Sequence, residues 1–349
     1  MRYLRPVICV DGSHLKGPYK GTLLMATGQD ANKQIYPLAW EIIDAETNRS
    51  WMWFMSNLKE LIGDSAELVF IFDRKNSISN AIAHLFPQSR HGCCIRHLEK
   101  NLVQRYNNAS VIFLFKRAER TSQVEEFERL MGQIRRVSAR AYGYLERAGF
   151  SFWSQALFVG QRYNILTNNN AESLNSMLRH ARSLPITCLI EHIRQTMQKW
   201  FHESRTSATT CIGMLSLRME NELRTTFEAG TRLRAHGLTE QLTQVGISND
   251  TDIVDFSDNS CTCREFQINR MSCLHATRAA YLRGTPIRPP NVRRPPGRPP
   301  TRRQRSRFKS VTRLRKCTRY GGLGHNRSTC SNPILEDIVV DIPSEHLDS

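Results

Sequence analysis

The first hundred residues alternate between short apolar runs and amphipathic stretches. Residues 6–10 form an apolar run ending in Asp11-Gly12, which reads as a strand entering a turn. Residues 21–27 and 34–43 are two further β-like runs, separated by the turn-rich Gly28-Gln29-Asp30-Ala31-Asn32. Ser50 suits the N-cap of a helical pattern over 51–61, with Gly63 as its stop. Residues 68–72 are a fully apolar strand ending in Asp73, and 77–86 are helical up to Pro87. Three strands, a helix, a strand and a helix predict an α/β layer rather than an all-α or all-β fold.

From 111 to 148 the pattern turns helical and charged, as expected of an inserted helical subdomain. Asn168-Asn169-Asn170 is a cluster of capping residues ahead of a helix over 171–182, and a second helix over 189–203 follows Pro185. The acidic, polar stretch 249–260 separates this core from a cysteine-rich end. The expected division is therefore an α/β domain over 1–205 (helical insertion about 111–160), a helical linker region over 206–255 and a cysteine-rich module over 256–283. A basic arm over 284–316, a second cysteine cluster over 317–330 and an acidic tail over 331–349 complete it.

Composition narrows the function classes. The 349 residues are 40% hydrophobic, enough for one substantial core plus small modules. No run approaches the ~20 apolar residues of a membrane-spanning helix, and no long apolar run follows Arg2 and Arg5 as in a signal peptide. The ten cysteines then read as thiols and metal ligands rather than a disulfide framework. The net charge is +17, and the thirteen Lys or Arg between Arg283 and Lys316, with no acid among them, leave +4 for the rest. A basic arm on a nearly balanced body predicts a polyanionic partner, above all nucleic acid; a solubilising linker is the other reading.

Asp11 and Asp73 share one context, each closing an apolar β-run. If those strands are neighbours, both carboxylates leave the sheet at one edge, and Glu172, in the first turn of a helix, can approach from the side. Three such carboxylates can hold two Mg²⁺ ions about 3.5–4 Å apart, the arrangement for in-line phosphoryl displacement. Each also has a plain structural role: Asp is a common turn residue, and Glu in a first helical turn complements the helix dipole.

The blocks around these acids carry a resemblance. Residues 6–17, Pro-Val-Ile-Cys-Val-Asp-Gly-Ser-His-Leu-Lys-Gly, with Leu23 to Asp30 behind them, resemble the opening of the Mutator-like element (MULE) transposase domain. Phe72-Asp73-Arg74 is similar to the second acidic block, Cys94 to Asn101 to the Cys-x-x-His block, and Tyr163 to Asn175 to the segment with the third acid. The resemblance covers roughly 5–285. It implies an RNase H-like mixed sheet with a helical insertion, a metal-binding triad Asp11, Asp73 and Glu172 for strand cleavage and transfer, and Cys94 and His97 near it. From the residues alone, Cys94 is equally a core thiol and His97 a helix-start residue, while Cys93 reads as structural.

Behind that domain, Cys261-x-Cys263, nine residues, and Cys273-x-His275 offer four ligands within fifteen residues, a set suited to tetrahedral zinc. The pattern resembles the SWIM zinc finger that follows the catalytic domain in these transposases. Cys317, His325 and Cys330 sit where a zinc knuckle places three of its ligands, with Tyr320 where the fourth, a cysteine, would be. Tyr320→Cys is expected to raise the zinc content by one per chain in metal analysis; unchanged stoichiometry would remove the knuckle. Between the clusters, Arg293-Arg294-Pro295-Pro296-Gly297-Arg298-Pro299 is similar to an AT-hook, whose arginines enter the narrow minor groove of A·T-rich DNA, although Pro295 stands where many hooks carry a basic residue.

These features predict a nuclear, transposon-derived DNA transposase or a fragment of one. It would bind structural Zn²⁺ and catalytic Mg²⁺ or Mn²⁺ and self-associate on DNA, away from membranes. The first strand begins near Pro6, so the expectation is that an upstream terminal-repeat recognition domain is missing and autonomous transposition with it. A domesticated, non-catalytic DNA-binding transcriptional regulator and an inactive remnant are the competing readings.

Overall fold

The computed structural model describes residues 4–17, 20–30, 32–209, 216–247 and 250–284. The basic arm, the second cysteine cluster and the acidic tail, with Arg293, Arg294, Gly297, Arg298, Cys317, His325 and Cys330, lie outside the described residues.

The chain opens with strands β1 (Val7–His14), β2 (Thr22–Gln29) and β3 (Ile35–Ile43), followed by helix α1 (Asn48–Ile62), β4 (Val69–Phe72), α2 (Asn76–Leu85) and β5 (Arg90–Cys93). The sheet order is β3-β2-β1-β4-β5, with β1–β2 and β2–β3 antiparallel and β1–β4 and β4–β5 parallel. Successive strand side chains face opposite sides of a sheet. Ile8, Val10, Leu24, Ala26, Phe70 and Phe72 accordingly share one core with Trp51, Phe54 and Leu58 of α1 and Ile78 and Ile82 of α2. Val7, Cys9, Val69 and Ile71 face the other way, against Phe158, Tyr163, Ile165 and Ala171. Burial on both faces is why β1 and β4 begin as unbroken apolar runs.

Two local differences from the sequence reading concern signals of similar strength. Helix α1 starts a turn earlier than Ser50: Thr47 is its N-cap, and Ser50 closes a capping box, its N–H donating to Thr47 Oγ1 at 3.1 Å and its Oγ accepting from Thr47 N–H at 2.8 Å. Gly63 ends it with φ at 73°, as its position predicts. Strand β1 does not stop at Asp11 but runs on to His14, because β2 continues to pair with it through Thr22.

The insertion comprises α3 (Ile95–Tyr106), α4 (Ala109–Ala118), α5 (Val124–Val137), α6 (Ala139–Arg147) and the short α7 (Phe150–Trp153). Its core, Leu98, Leu102, Phe115, Phe127, Leu130, Ile134, Leu145 and Trp153, is separate from the sheet cores. The chain returns through α8 (Asn169–Met177), which packs on β1 and β2 through Leu174 against Leu23 and Met25, and then through a 3-10 turn (Ala181–Ser183) to α9 (Ile186–Thr209). The helix expected over 171–182 is thus shorter, its last part re-forming as that turn.

Among the described residues of 206–255, expected to be a helical linker, only the end of α9 and α10 (Leu217–Gly230) are helical. Four antiparallel strands follow: β6 (Arg234–Gly237), β7 (Leu242–Ile247), β8 (Asp250–Asp255) and β9 (Ser260–Cys261), then α11 (Glu265–Asn269) and α12 (Leu274–Arg283). The acidic stretch expected to separate domains is β8, an integral strand of the C-terminal module. Val254 alone of its residues is fully buried, which leaves its outward positions free to be Asp and Thr. Among the described residues no helix is long and apolar enough to cross a membrane.

Candidate functional site

Asp11 and Asp73 come together through sheet register. The parallel pairs Val7–Val69, Ile8–Phe70 and Cys9–Ile71 align β1 with β4. Asp11, two residues past Cys9, and Asp73, the residue after β4, therefore leave this ladder at the same end, close enough for the Asp73 charge to act on Asp11. Asp11 lies on the face of β1 that α8 covers. Asn168 and Asn175, at either end of α8, donate through Nδ2 to Asp11 Oδ1 and Oδ2 at 3.3 and 2.8 Å. Asn168, expected as a cap, makes no side-chain cap bond to the helix because its amide is spent on Asp11 and on Cys94, whose Sγ–H donates to its Oδ1 at 2.9 Å.

Burial pushes the Asp11 carboxyl up to about 7, and the neighbouring Asp73 and Glu172 charges push it the same way against the Asn175 hydrogen bond. Asp73 is also raised, mainly by burial, despite the opposing charges of Lys75 and His97. Its Oδ1 is buried with no hydrogen-bond partner, while its Oδ2 lies 3.7 Å from Lys75 Nζ. Two crowded carboxylates and an orphaned buried oxygen are what a divalent cation would relieve.

The sequence reading missed a fourth acid here. Glu46, in the loop between β3 and α1, accepts from Lys75 Nζ at 2.7 Å and lies over Gly12, where a Cβ would come within 2.9 Å of its carboxylate. Gly12 beside Asp11 therefore has a steric role: it makes room for Glu46. Sequence spacing carries no sign of this, since the loop approaches only through the fold.

Glu172 stands apart from the acidic pair. Among the described residues, two sets of ligand atoms lie within 4.8 Å of one another: Cys94, His97 and Glu172, and Cys261, Cys263, Cys273 and His275. Asp11, Asp73 and Glu172 do not form such a set. Glu172 Oε2 is 3.5 Å from the exposed guanidinium of Arg96, which also donates to Asn169 Oδ1 at 2.9 Å. Cys94 caps α3 at the end of β5, and its N–H donates to Phe72 O at 2.8 Å, tying it beside Asp73. Cys93 is a buried core thiol, pushed up to about 12 by burial.

In the C-terminal module Cys261 lies on β9, Cys263 in the turn after it, and Cys273 and His275 at the start of α12. Arg264, with φ at 64°, turns the chain so that the first two thiols face the last two donors. All three cysteines are buried. Hydrogen bonds from the Cys261 and Cys273 thiols hold Cys263 below the ordinary thiol range, which suits the thiolate a metal binds. His275 Nε2 lies 3.4 Å from Asp252 Oδ2 of β8, the carboxylate–histidine contact that orients a metal-binding ring. The module is fastened to the insertion: Ser122 Oγ donates to Cys263 O at 2.6 Å, and Arg264 donates to Ala156 O at 2.7 Å and Ser122 O at 3.2 Å.

Comparison with known proteins follows this division. Residues 7–101 match the MULE transposase domain and residues 244–284 the SWIM zinc finger. The first match takes in Asp11, Asp73, Cys94 and His97 and ends before Glu172; the second begins within β7, ahead of the boundary expected at 256. Protein FAR1-RELATED SEQUENCE 4 of Arabidopsis thaliana is 25% identical over 184 residues, 49% of this chain and 25% of that protein's own length. A simian T-cell lymphotropic virus intasome in complex with PP2A regulatory subunit B56 gamma aligns with TM-score 0.22 and 12% identity, over 47% of this chain and 54% of that one, a likeness too slight to bear on fold or function. The chain thus matches a MULE transposase domain over residues 7–101 and, behind it, a SWIM zinc finger over residues 244–284.

Proposed function

We propose that this chain is a transposon-derived, DNA-binding zinc protein whose α/β domain performs divalent-cation-dependent DNA strand cleavage and transfer. The observation that carries the reading is the placement of Asp11 on β1 and of Asp73 directly after the neighbouring parallel strand β4, inside the MULE match. The sheet order and the helical insertion after β5 support an RNase H-like architecture. Asp11 and Asp73 would hold Mg²⁺ or Mn²⁺, with Glu172 brought to them by a shift of α8 or of its side chain. Such an ion would polarise the phosphoryl oxygen and activate the attacking water or 3′-hydroxyl. Asn168 and Asn175 orient Asp11, and Lys75 restrains Asp73 and Glu46. The basic arm would neutralise DNA phosphates, with the hook-like Arg293, Arg294, Gly297 and Arg298 suited to an A·T-rich minor groove. Nuclear location and self-association on DNA belong to the same reading.

The test is strand transfer by the purified chain with pre-cut DNA ends and Mn²⁺. Joined products are expected, falling at least about a hundredfold in Asp73→Asn and Glu172→Gln, since a metal ion contributes several kcal/mol to the transition state. A second reading, a DNA-binding regulator without catalysis, is favoured by Glu172 grouping with Cys94 and His97 rather than with the acidic pair. DNA binding with no joined products, unchanged in either variant, would establish it instead.

A further inference from the structure

We infer that Cys94, His97 and Glu172 form a second transition-metal site, selective for Zn²⁺ over Mg²⁺ and distinct from both the acidic pair and the SWIM ligands. Their ligand atoms all lie within 4.8 Å of one another, the reach of one ion. Thiolate, imidazole and carboxylate are the donor set of three-ligand zinc sites, which keep a fourth position open; Mg²⁺ takes oxygen donors and binds sulfur poorly. Three further observations point to an ion rather than to chance proximity. His97 Nδ1 is buried with no hydrogen-bond partner. The backbone N–H groups of Arg96, His97 and Asn168 all face Cys94 Sγ, that of Asn168 at 3.4 Å, and partly offset the burial that otherwise pushes the thiol up. The fold also fixes the spacing: Cys94 caps α3, His97 lies in its first turn, and Glu172 lies in the first turn of α8, whose preceding residue Asn168 is bonded to Cys94.

Zinc held here would draw Glu172 to the α3 side of the site, away from Asp11 and Asp73. The inference concerns binding alone and stands whether or not the chain cleaves DNA. Binding to the thiol releases its proton, and the Asn168 Oδ1 contact that now accepts the Cys94 S–H is given up in exchange for the Cys94–metal bond.

The experiment is a Co²⁺ and Zn²⁺ titration of the full chain with its SWIM zinc in place, followed by thiolate-to-cobalt charge-transfer absorption and by zinc stoichiometry. One further equivalent is expected, with a single-thiolate charge-transfer band. Its affinity should fall more than about tenfold in each of Cys94→Ser and His97→Gln, because changes even to groups behind a ligand cost that much. Excess Mg²⁺ should not displace it. Cys317→Ser serves as the control for the second cysteine cluster and should leave the event unchanged. The inference is overturned if no further equivalent binds, if the event survives both Cys94→Ser and His97→Gln, or if Cys317→Ser alone abolishes it.

Discussion

Stripping zinc from the SWIM module is expected to unfold residues of β8, β9, α11 and α12 while the α/β domain stays folded. The apolar core of the module, Val245, Val254, Phe266, Ala276 and Ala279, is small, and the remaining members of its buried cluster are the zinc-ligand cysteines themselves. Structural zinc supplies ~10–16 kcal/mol in small finger peptides, whereas burial of five such side chains gives at most about 5–15 kcal/mol, which the conformational entropy of ordering the module's residues at about 1–2 kcal/mol each more than cancels. The four donors sit on three separate pieces of backbone, so without the ion the turn at Arg264 and the start of α12 have little to hold them together. Loss should propagate to the docking contacts, Ser122 to Cys263 and Arg264 to Ala156, but no further. The sheet cores and the insertion core share no residue with the zinc cluster. Hydrogen exchange with and without chelator, and on Cys273→Ser, reads this directly: protection should collapse over 250–284 and persist in β1, β4 and α5. Persistent protection of α12 without zinc would mean that packing against α10 holds the module, and that the metal is dispensable for its fold.

The division between what could be read from residues and what could not has a physical basis in both domains. Strands β1 and β4 announce themselves because both faces are covered, which demands a continuous apolar run, and the acid after each run stands out against it. The four SWIM ligands are close in sequence, so spacing alone identifies them. Strand β5 was missed because it is a four-residue edge strand, Arg-His-Gly-Cys, without a hydrophobic pattern; short polar edges resist unwanted pairing. Strand β8 was read as a separator because one buried valine suffices to seat it. Glu46, Lys75 and Asn175 join the acidic pair from a loop, the N-cap of α2 and α8, and their arrival depends on long-range packing that no local pattern encodes. The proximity of Glu172 to Cys94 and His97 rather than to Asp11 is of the same kind. It depends on the Asn168 bridge between α8 and the α3 cap, where a run of asparagines reads locally as capping.

Burial and the neighbouring Asp73 make the Asp11 charge costly in the metal-free protein, so Asp11→Asn should stabilise it at alkaline pH. The ordinary carboxylate pKa of 3.8 is raised to about 7 by burial and by Asp73, so the folded state binds a proton that the unfolded chain has already lost. For an acid shifted upward, stability is highest below the unfolded value and declines as pH rises from about 4 through 7. About three units correspond to roughly 4 kcal/mol at most. Part of that comes from the Asp73 charge and so depends on both acids. Replacing the carboxylate by an amide also turns one of the two Asn donors onto an NH₂ group, losing a hydrogen bond worth about 1 kcal/mol. The net gain expected above pH 8 is therefore about 1–3 kcal/mol, a rise in melting temperature of roughly 2–10 °C for a domain this size. It should vanish near pH 5, where the parent carboxyl is protonated. Mn²⁺ should reverse the order: it needs the deprotonated acid, so it should stabilise the parent increasingly with pH and leave Asp11→Asn unaffected. Thermal melts at pH 5 and pH 8, with zinc in place and Mn²⁺ present or absent, supply all four comparisons. If Asp11→Asn is less stable than the parent at pH 8 without Mn²⁺, the Asn168 and Asn175 bonds outweigh the repulsion and Asp11 is a structural anchor. If it is more stable but Mn²⁺ does nothing to the parent, the crowded acids are real and the divalent-cation site is not.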